Sequence, residues 1–236
     1  MNQSADTRTE ILFGASALQK LKSSRVIVFG LGGVGSFAAE ALARGGVGSL
    51  TLVDSDFISI TNINRQLIAV NSTIGMLKTE AAKKRYLDIN PDINITALPL
   101  FFLPETVFEL NWNFDYVIDA VDTVAAKVAV ITEAKKRGIP AVSVMGAGNK
   151  TEASMFEVAD IYQTSVCPLA KIMRKMLRSN GIGELKVVYS KENPRHDGAD
   201  KSGGLGSAAY VTGTAGLIAA GEAIKDIIKT TIRSEK

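Results

Sequence analysis

Short runs of consecutive apolar residues, rich in Val, Ile and Leu, alternate along most of this chain with longer stretches in which apolar positions recur every three or four residues. Continuously apolar runs suit strands buried on both faces, and the intervening pattern suits amphipathic helices, so the alternation predicts a mainly parallel sheet wound with helices on both sides. Strands are expected over residues 25–30, 49–54, 94–100, 115–120 and 140–145, with helices over 34–46, 75–90 and 124–138. The last two helices stop at Asn90 before Pro91 and at Gly138 near Pro140. A residue preceding proline is pushed out of the helical region, and glycine accepts the left-handed cap.

After Met145 the rhythm changes. Residues 153–159 read as a strand with no helix before it, which predicts an antiparallel strand at the sheet edge. A helix follows Cys167, with Leu169, Ile172, Met173, Met176 and Leu177 at the spacing of a core stripe. Residues 205–221 carry no charge but are rich in Gly, Ala, Ser and Thr. They are too weakly apolar for a bilayer and read as a buried packing helix. The expected fold is therefore α/β: one doubly wound domain over 1–236, with a core of 1–145 and a C-terminal helical extension of 146–236.

Composition narrows the chemistry. With 46% hydrophobic and 22% charged residues the chain is an ordinary folded one, which excludes disorder and coiled coil. Cys167 is the only cysteine and His196 the only histidine, so an internal disulfide, a tetrathiolate zinc site and most imidazole chemistry are ruled out. A net charge of +3 permits an anionic partner without requiring one. Asp6, Arg8 and Glu10 precede any apolar run, so no secretory signal is expected and the cytoplasm is the expected compartment. The polar segment 191–207, with Pro194, Gly198, Gly203, Gly204 and Gly206, reads as an active-site lid or a linker.

The strongest local signal is Gly30-Leu31-Gly32-Gly33-Val34-Gly35, which joins the first strand to a helix. Positions without side chains let an anion approach the backbone, and the helix N-terminus favours its charge, so the turn is a phosphate cradle of the Rossmann-like kind. Asp54, closing the second strand, sits where a carboxylate takes ribose hydroxyls. Glycines do not separate a dinucleotide from ATP, but the next residues do. Asp56 and the run Thr61-Asn62-Ile63-Asn64-Arg65-Gln66 surround an arginine with amides, and Lys78 adds a second cation, a combination suited to a triphosphate. Asp119 and Asp122 cap the fourth strand at the carboxyl edge where ligands bind, and either could hold magnesium. Asp122, beyond the apolar run and beside Thr123, is the better placed. Its bland alternative is to cap the helix that starts at Val124.

The motifs GLGGVG, LVDSD, TNINRQ and DAVDT, with Lys78 among them, resemble the adenylating superfamily of ubiquitin-activating-like enzymes. The resemblance implies that Gly33, Asp54, Asn64, Arg65, Lys78 and Asp122 bind ATP and magnesium while a carboxylate attacks the α-phosphate. Sulfur-carrier activators in that superfamily carry paired CxxC motifs, which this chain lacks. The segments EALARGGVGSLTLVD, FEVADIYQTSVCPLAK and SAAYVTGTAGLIAAGEAIKD instead look like the tRNA threonylcarbamoyladenosine dehydratase branch, nearly end to end. That implies adenylation of a threonyl carboxylate on a modified tRNA adenosine, then cyclisation with loss of AMP, by a homodimer with room for a sulfur-relay protein partner. Of the superfamily's N-terminal Arg-x-x-Arg pair, only Arg8 is present.

Two features remain. Cys167 opens its helix, where a dipole could activate a thiolate, but no histidine or second cysteine stands ready to assist, so a buried bystander is the favoured reading. Lys171, Arg174, Lys175 and Arg178 line one face of that helix, either as a solvated surface or as a contact for tRNA phosphates. Rival functions are activation of a ubiquitin-like carrier protein, nicotinamide-dependent reduction and nucleotide binding without turnover.

Overall fold

The computed structural model describes residues 4–194 and 205–232. Two short helices open the chain, α1 (Thr7–Phe13) and α2 (Ala15–Lys22); the sequence pattern does not announce either one. The alternating section follows as β1 (Arg25–Phe29), α3 (Gly35–Arg44), β2 (Ser49–Val53), α4 (Lys78–Ile89), β3 (Asn94–Leu98), β4 (Tyr116–Asp119), α5 (Val124–Lys136) and β5 (Ala141–Val144). The C-terminal part holds β6 (Phe156–Asp160), α6 (Pro168–Ser179), β7 (Lys186–Ser190) and α7 (Ala209–Ile232). The expected strands and helices are all present; those up to β5 are trimmed by one to a few residues at their ends, whereas the strand expected over 153–159 is shifted to Phe156–Asp160 and the helix expected over 205–221 runs on to Ile232.

The strands form one sheet of order β3-β2-β1-β4-β5-β7-β6, parallel throughout except for the β6–β7 pair. The antiparallel edge is as expected, but β6 reaches it by pairing with β7, not β5. The run Lys186–Ser190 gives little warning of this. It is short and lies in a loop-rich section, and its Val187, Val188 and Tyr189 become core only because β5 and β6 flank it.

Side chains of β1 alternate between two cores, as a strand's period of two requires. Val26 and Val28 pack with residues of α2, α3, α4 and α7, while Ile27 and Phe29 pack on the other face with α5 and α6. The buried stripe of α6 is narrower than its sequence suggests. Ala170, Met173 and Leu177 are buried, whereas Ile172 and Met176 are 49% and 39% exposed. This helix packs mainly against α5 and the turn Ile161–Gln163, which leaves the Ile172 and Met176 side of the expected stripe uncovered. The uncharged stretch becomes the start of α7, a packing helix that buries Val211, Ala215, Ala219, Ala220 and Ala223. Among the described residues no helix is long and apolar enough to cross a membrane. Residues 195–204, with His196 and most of the predicted lid or linker, lie outside the described residues.

Candidate active site

From β1 the chain winds outward through β2 to β3, then returns to the other side of β1 as β4. Connections leaving the sheet in opposite directions open a crevice at the carboxyl ends of the strands. The register sharpens it: Phe29, the last residue of β1, pairs with Val53 at the end of β2 and with Asp119 at the end of β4. Three loops therefore rise from one level. They border a cavity of about 610 Å³, lined by every residue predicted to bind nucleotide except Gly35 and Asn64.

The glycine turn owes its shape to close approaches. Gly30 has φ +83°, and a Cβ there would lie 2.8 Å from the Ala120 carbonyl oxygen. A Cβ on Gly35 would come within 1.7 Å of the Gly30 carbonyl oxygen, so this glycine shapes the turn from behind. Gly32 differs: a Cβ there would meet no protein atom within 4 Å, so its bare backbone faces open space at the cavity.

Asp54 accepts the Leu31 N–H at 2.7 Å and the Asp56 N–H at 2.9 Å, which ties the end of β2 to the glycine turn. Burial pushes its carboxyl above the ordinary aspartate range, and the Lys78 ammonium with the two N–H bonds offsets only part of that. Lys78 is buried at the first position of α4, its Nζ 2.6 Å from Asp56 Oδ2 and 3.7 Å from Asp54 Oδ1. The Arg65 stem lies along the turn, its Cγ 3.3 Å from where a Gly33 Cβ would stand. Its guanidinium donates to the Thr61 carbonyl and to Asn64 Oδ1. Asn64 in turn donates to the Ser207 carbonyl at 2.9 Å, so it braces Arg65 from outside the cavity. Asn62 caps its own turn by accepting the Ser59 N–H. Gln66 is buried with an amide oxygen that has no hydrogen-bond partner, an acceptor left over at the cavity wall.

The two aspartates at the carboxyl end of β4 separate cleanly. Asp119 is fully buried against Lys127, while Asp122 is exposed and lines the cavity with Thr123. Thr123, not Asp122, stands at the N-cap of α5, and its side chain makes no capping bond. Asp122 is thus free of the capping role, and Asp119 is committed elsewhere.

Several lining residues escape a sequence reading. Thr212 of α7 abuts Gly33, and Ser207 and Leu205 complete that wall. The Gly146-Ala147-Gly148 turn after β5 also lines the cavity, and its glycines at a strand end were the available signal. Phe101 and Phe102 come from the segment after β3. None of the four cations of α6 lines the cavity. Lys171, Lys175 and Arg178 are exposed, with the Arg178 guanidinium 4.9 Å from the centre of the Tyr162 ring. Arg174 turns inward instead, donating to the Thr164 carbonyl at 3.0 Å and to its hydroxyl. Cys167 is 2% exposed and forms no disulfide, so the thiol is buried as the sequence favours. Arg8 is exposed on α1, away from the cavity lining.

Known proteins share this sequence pattern and this fold. The family model described as ThiF family matches residues 7–236. A tRNA threonylcarbamoyladenosine dehydratase of Bacillus subtilis is 44% identical over 94% of each chain. One from Escherichia coli is 36% identical over 95% of this chain and 94% of its own. The crystal structure of E. coli tRNA N6-threonylcarbamoyladenosine dehydratase, TcdA, in complex with ATP superposes with a TM-score of 0.89, covering 96% of this chain and 94% of that one at 36% identity. A fold with these strands, a cavity at this switch point and relatives matched over nearly their whole length lead to one assignment: the chain belongs to the ThiF family, among the tRNA threonylcarbamoyladenosine dehydratases.

Proposed function

We propose that this protein is an ATP-dependent tRNA threonylcarbamoyladenosine dehydratase, working in the cytoplasm as a homodimer. The observation that carries the reading is convergence: a glycine turn, Asp54, Arg65, Lys78 and Asp122, far apart in sequence, line one cavity at the switch point. In this reading ATP is a co-substrate. The Asp54 carboxylate takes the ribose hydroxyls, and the N–H groups of the glycine turn, backed by the α3 dipole, face the phosphates. Gln66 offers its unpartnered oxygen to a nucleotide donor. Lys78 exchanges Asp56 for phosphate oxygens.

The threonyl carboxylate attacks the α-phosphate and displaces pyrophosphate. The substrate's own urea group then closes on the acyl-adenylate and releases AMP, so the water that is lost leaves as an oxygen on the nucleotide. Two groups held this close react with an effective molarity of about 10⁵ M or more when well oriented, and no protein nucleophile is needed. That fits a chain whose only cysteine is buried. Arg65 and Lys78 stabilise the charge that grows on the phosphates.

The donor set also fits magnesium. Among the described residues no three His, Cys, Asp or Glu side chains form a metal cage. Magnesium is commonly held by one or two carboxylates with phosphate oxygens and water, and Asp122 is a carboxylate at the cavity. Bound there, the ion would neutralise phosphate charge. Lys171, Lys175 and Arg178 of α6 are the proposed tRNA contacts, with Arg174 a lesser one because Thr164 already holds it.

The test is incubation with ATP, magnesium and threonylcarbamoylated tRNA, followed by mass spectrometry of the nucleosides. The expected result is loss of one water from the modified adenosine with release of AMP. Unchanged nucleoside, or tight NADH binding with hydride transfer, overturns the reading.

A further inference from the structure

The cavity does not account for three polar residues just beneath it. Lys127 of α5, Asp119 of β4 and Ser143 of β5 are each 0% exposed. Lys127 Nζ lies 2.9 Å from Asp119 Oδ2 and 3.2 Å from Ser143 Oγ, and Ser143 Oγ donates to the same Asp119 oxygen at 2.5 Å. We propose that this trio is a positioning device that holds the loop 120–123 so that Asp122 meets a divalent cation at a fixed place. The proposal rests on the reading of Asp122 as the magnesium ligand.

The trio brackets that loop from both ends. Asp119 is its last residue before, and Lys127 stands on the first turn of the helix after it. Asp119 Oδ1 also accepts the Val121 N–H at 3.3 Å, so the carboxylate reaches into the loop itself. From the other side the loop is wedged against the glycine turn, where even a Cβ on Gly30 would lie 2.8 Å from the Ala120 carbonyl oxygen. Ser143 extends the anchorage to the neighbouring strand. Stability alone does not explain such a trio. Taking an ammonium and a carboxylate out of water is costly, and replacing such a pair by aliphatic side chains of similar volume is often neutral or stabilising, which is the ground for reading this trio through the geometry it specifies. Losing a group hydrogen-bonded to a metal ligand lowers metal affinity by about 10–100-fold; the trio bonds the loop and not Asp122 itself, so its effect passes through the backbone and the lower end of that range is expected.

The experiment measures ATP affinity of the full chain by calorimetry across a magnesium series and in EDTA, with thermal unfolding alongside. The variants are Ser143→Ala, Lys127→Met and Asp122→Asn. The expected result is that Ser143→Ala raises the magnesium concentration for half-maximal effect by about tenfold, with ATP affinity in EDTA as in the wild type, and that Lys127→Met does the same if it folds. A magnesium midpoint unchanged in Ser143→Ala but shifted in Asp122→Asn overturns the positioning role and leaves Asp122 standing. A midpoint unchanged in Asp122→Asn removes the Asp122 reading and the proposal with it.

Discussion

Lys78 begins α4 as a buried ammonium with carboxylates on one side and the cavity on the other. A charge so placed is already desolvated, and in the proposed reading its interaction with phosphates would be correspondingly strong. Arg65→Ala, Lys78→Ala and Asp122→Ala are each expected to lower kcat by roughly a hundredfold or more, the usual loss for one electrostatic stabiliser. Steady-state assay of tRNA dehydration checks this. Cys167→Ala is expected to keep most activity and to cost about 1 kcal/mol of stability for the lost packing. A dead but folded variant would restore a thioester route. Asp54 supplies a pH dependence. In the proposed reading its charged form takes the ribose hydroxyls, and burial raises the pH at which it protonates. ATP affinity is therefore expected to weaken on acidification before an ordinary aspartate, near pKa 3.9, would titrate. In Asp54→Asn, binding should be weaker throughout and that limb of the pH profile absent.

At the level of elements, the contact between α3 and α7 positions Thr212 against the glycine turn. It is close because both helices use small residues there: a Cβ on Gly216 would lie 2.2 Å from the Val34 carbonyl oxygen and 3.1 Å from the Ala38 nitrogen. Gly216→Ala must push the helices apart, and it is expected to lower stability by about 1–3 kcal/mol or more and to weaken ATP binding by moving Thr212. Gly221, in the same helix, has no atom within 4 Å of where its Cβ would stand. Gly221→Ala is expected to stabilise by up to about 1 kcal/mol, the difference in helix propensity. Thermal unfolding of the two variants side by side tests both statements. For α6, replacing Lys171 and Lys175 by Gln should weaken tRNA binding and flatten its log–log salt dependence by about 0.7–0.9 per lost phosphate contact, with ATP affinity unchanged. An unchanged salt slope would return this face to solvent.

Across the whole molecule, α7 is tied to the sheet by charge as well as by packing. Tyr116 on β4 donates to Asp226 at 2.8 Å, and Lys186 on β7 bridges Asp226 at 2.6 Å and Glu222 at 3.0 Å. Burial works against the Asp226 charge, but the Lys186 and Tyr116 bonds outweigh it and hold this carboxyl below the usual range; Glu222 is lowered in the same way by Lys225 and Lys186. Burial and the adjacent Asp226 charge push the Tyr116 hydroxyl far up, so it remains a donor. A carboxylate whose folded pKa is depressed contributes stability that is present above its unfolded value and lost as pH falls through the folded one. Unfolding free energy is therefore expected to decline below about pH 4, and Asp226→Asn should be less stable at pH 7 with a shallower acid decline. Denaturant titrations at stepped pH check the sign. The same slope in the variant would exclude this network as the source.

Local signals account for what the sequence determined by itself. Run length and periodicity identify β1 to β5 and the helices among them; the candidate glycine turn, Asp54, Lys78 and Asp122 are legible because each sits at a strand or helix end, and Arg65 because amide side chains flank it. The tertiary structure decided what depends on partners far along the chain. Lys186–Ser190 becomes a central strand only when β5 and β6 flank it. Thr212 becomes a cavity residue only because α7 docks on α3. Arg174 leaves the cationic face of α6 for Thr164, ten residues back in the chain. The sequence already favours Asp122 over Asp119, but only the packing shows what Asp119 does instead, bonded to Lys127 and Ser143 while Asp122 stays at the cavity. Local conformation follows from which side chains are chain neighbours; these last choices follow from which surfaces exclude water together, and that is settled only when the whole fold packs.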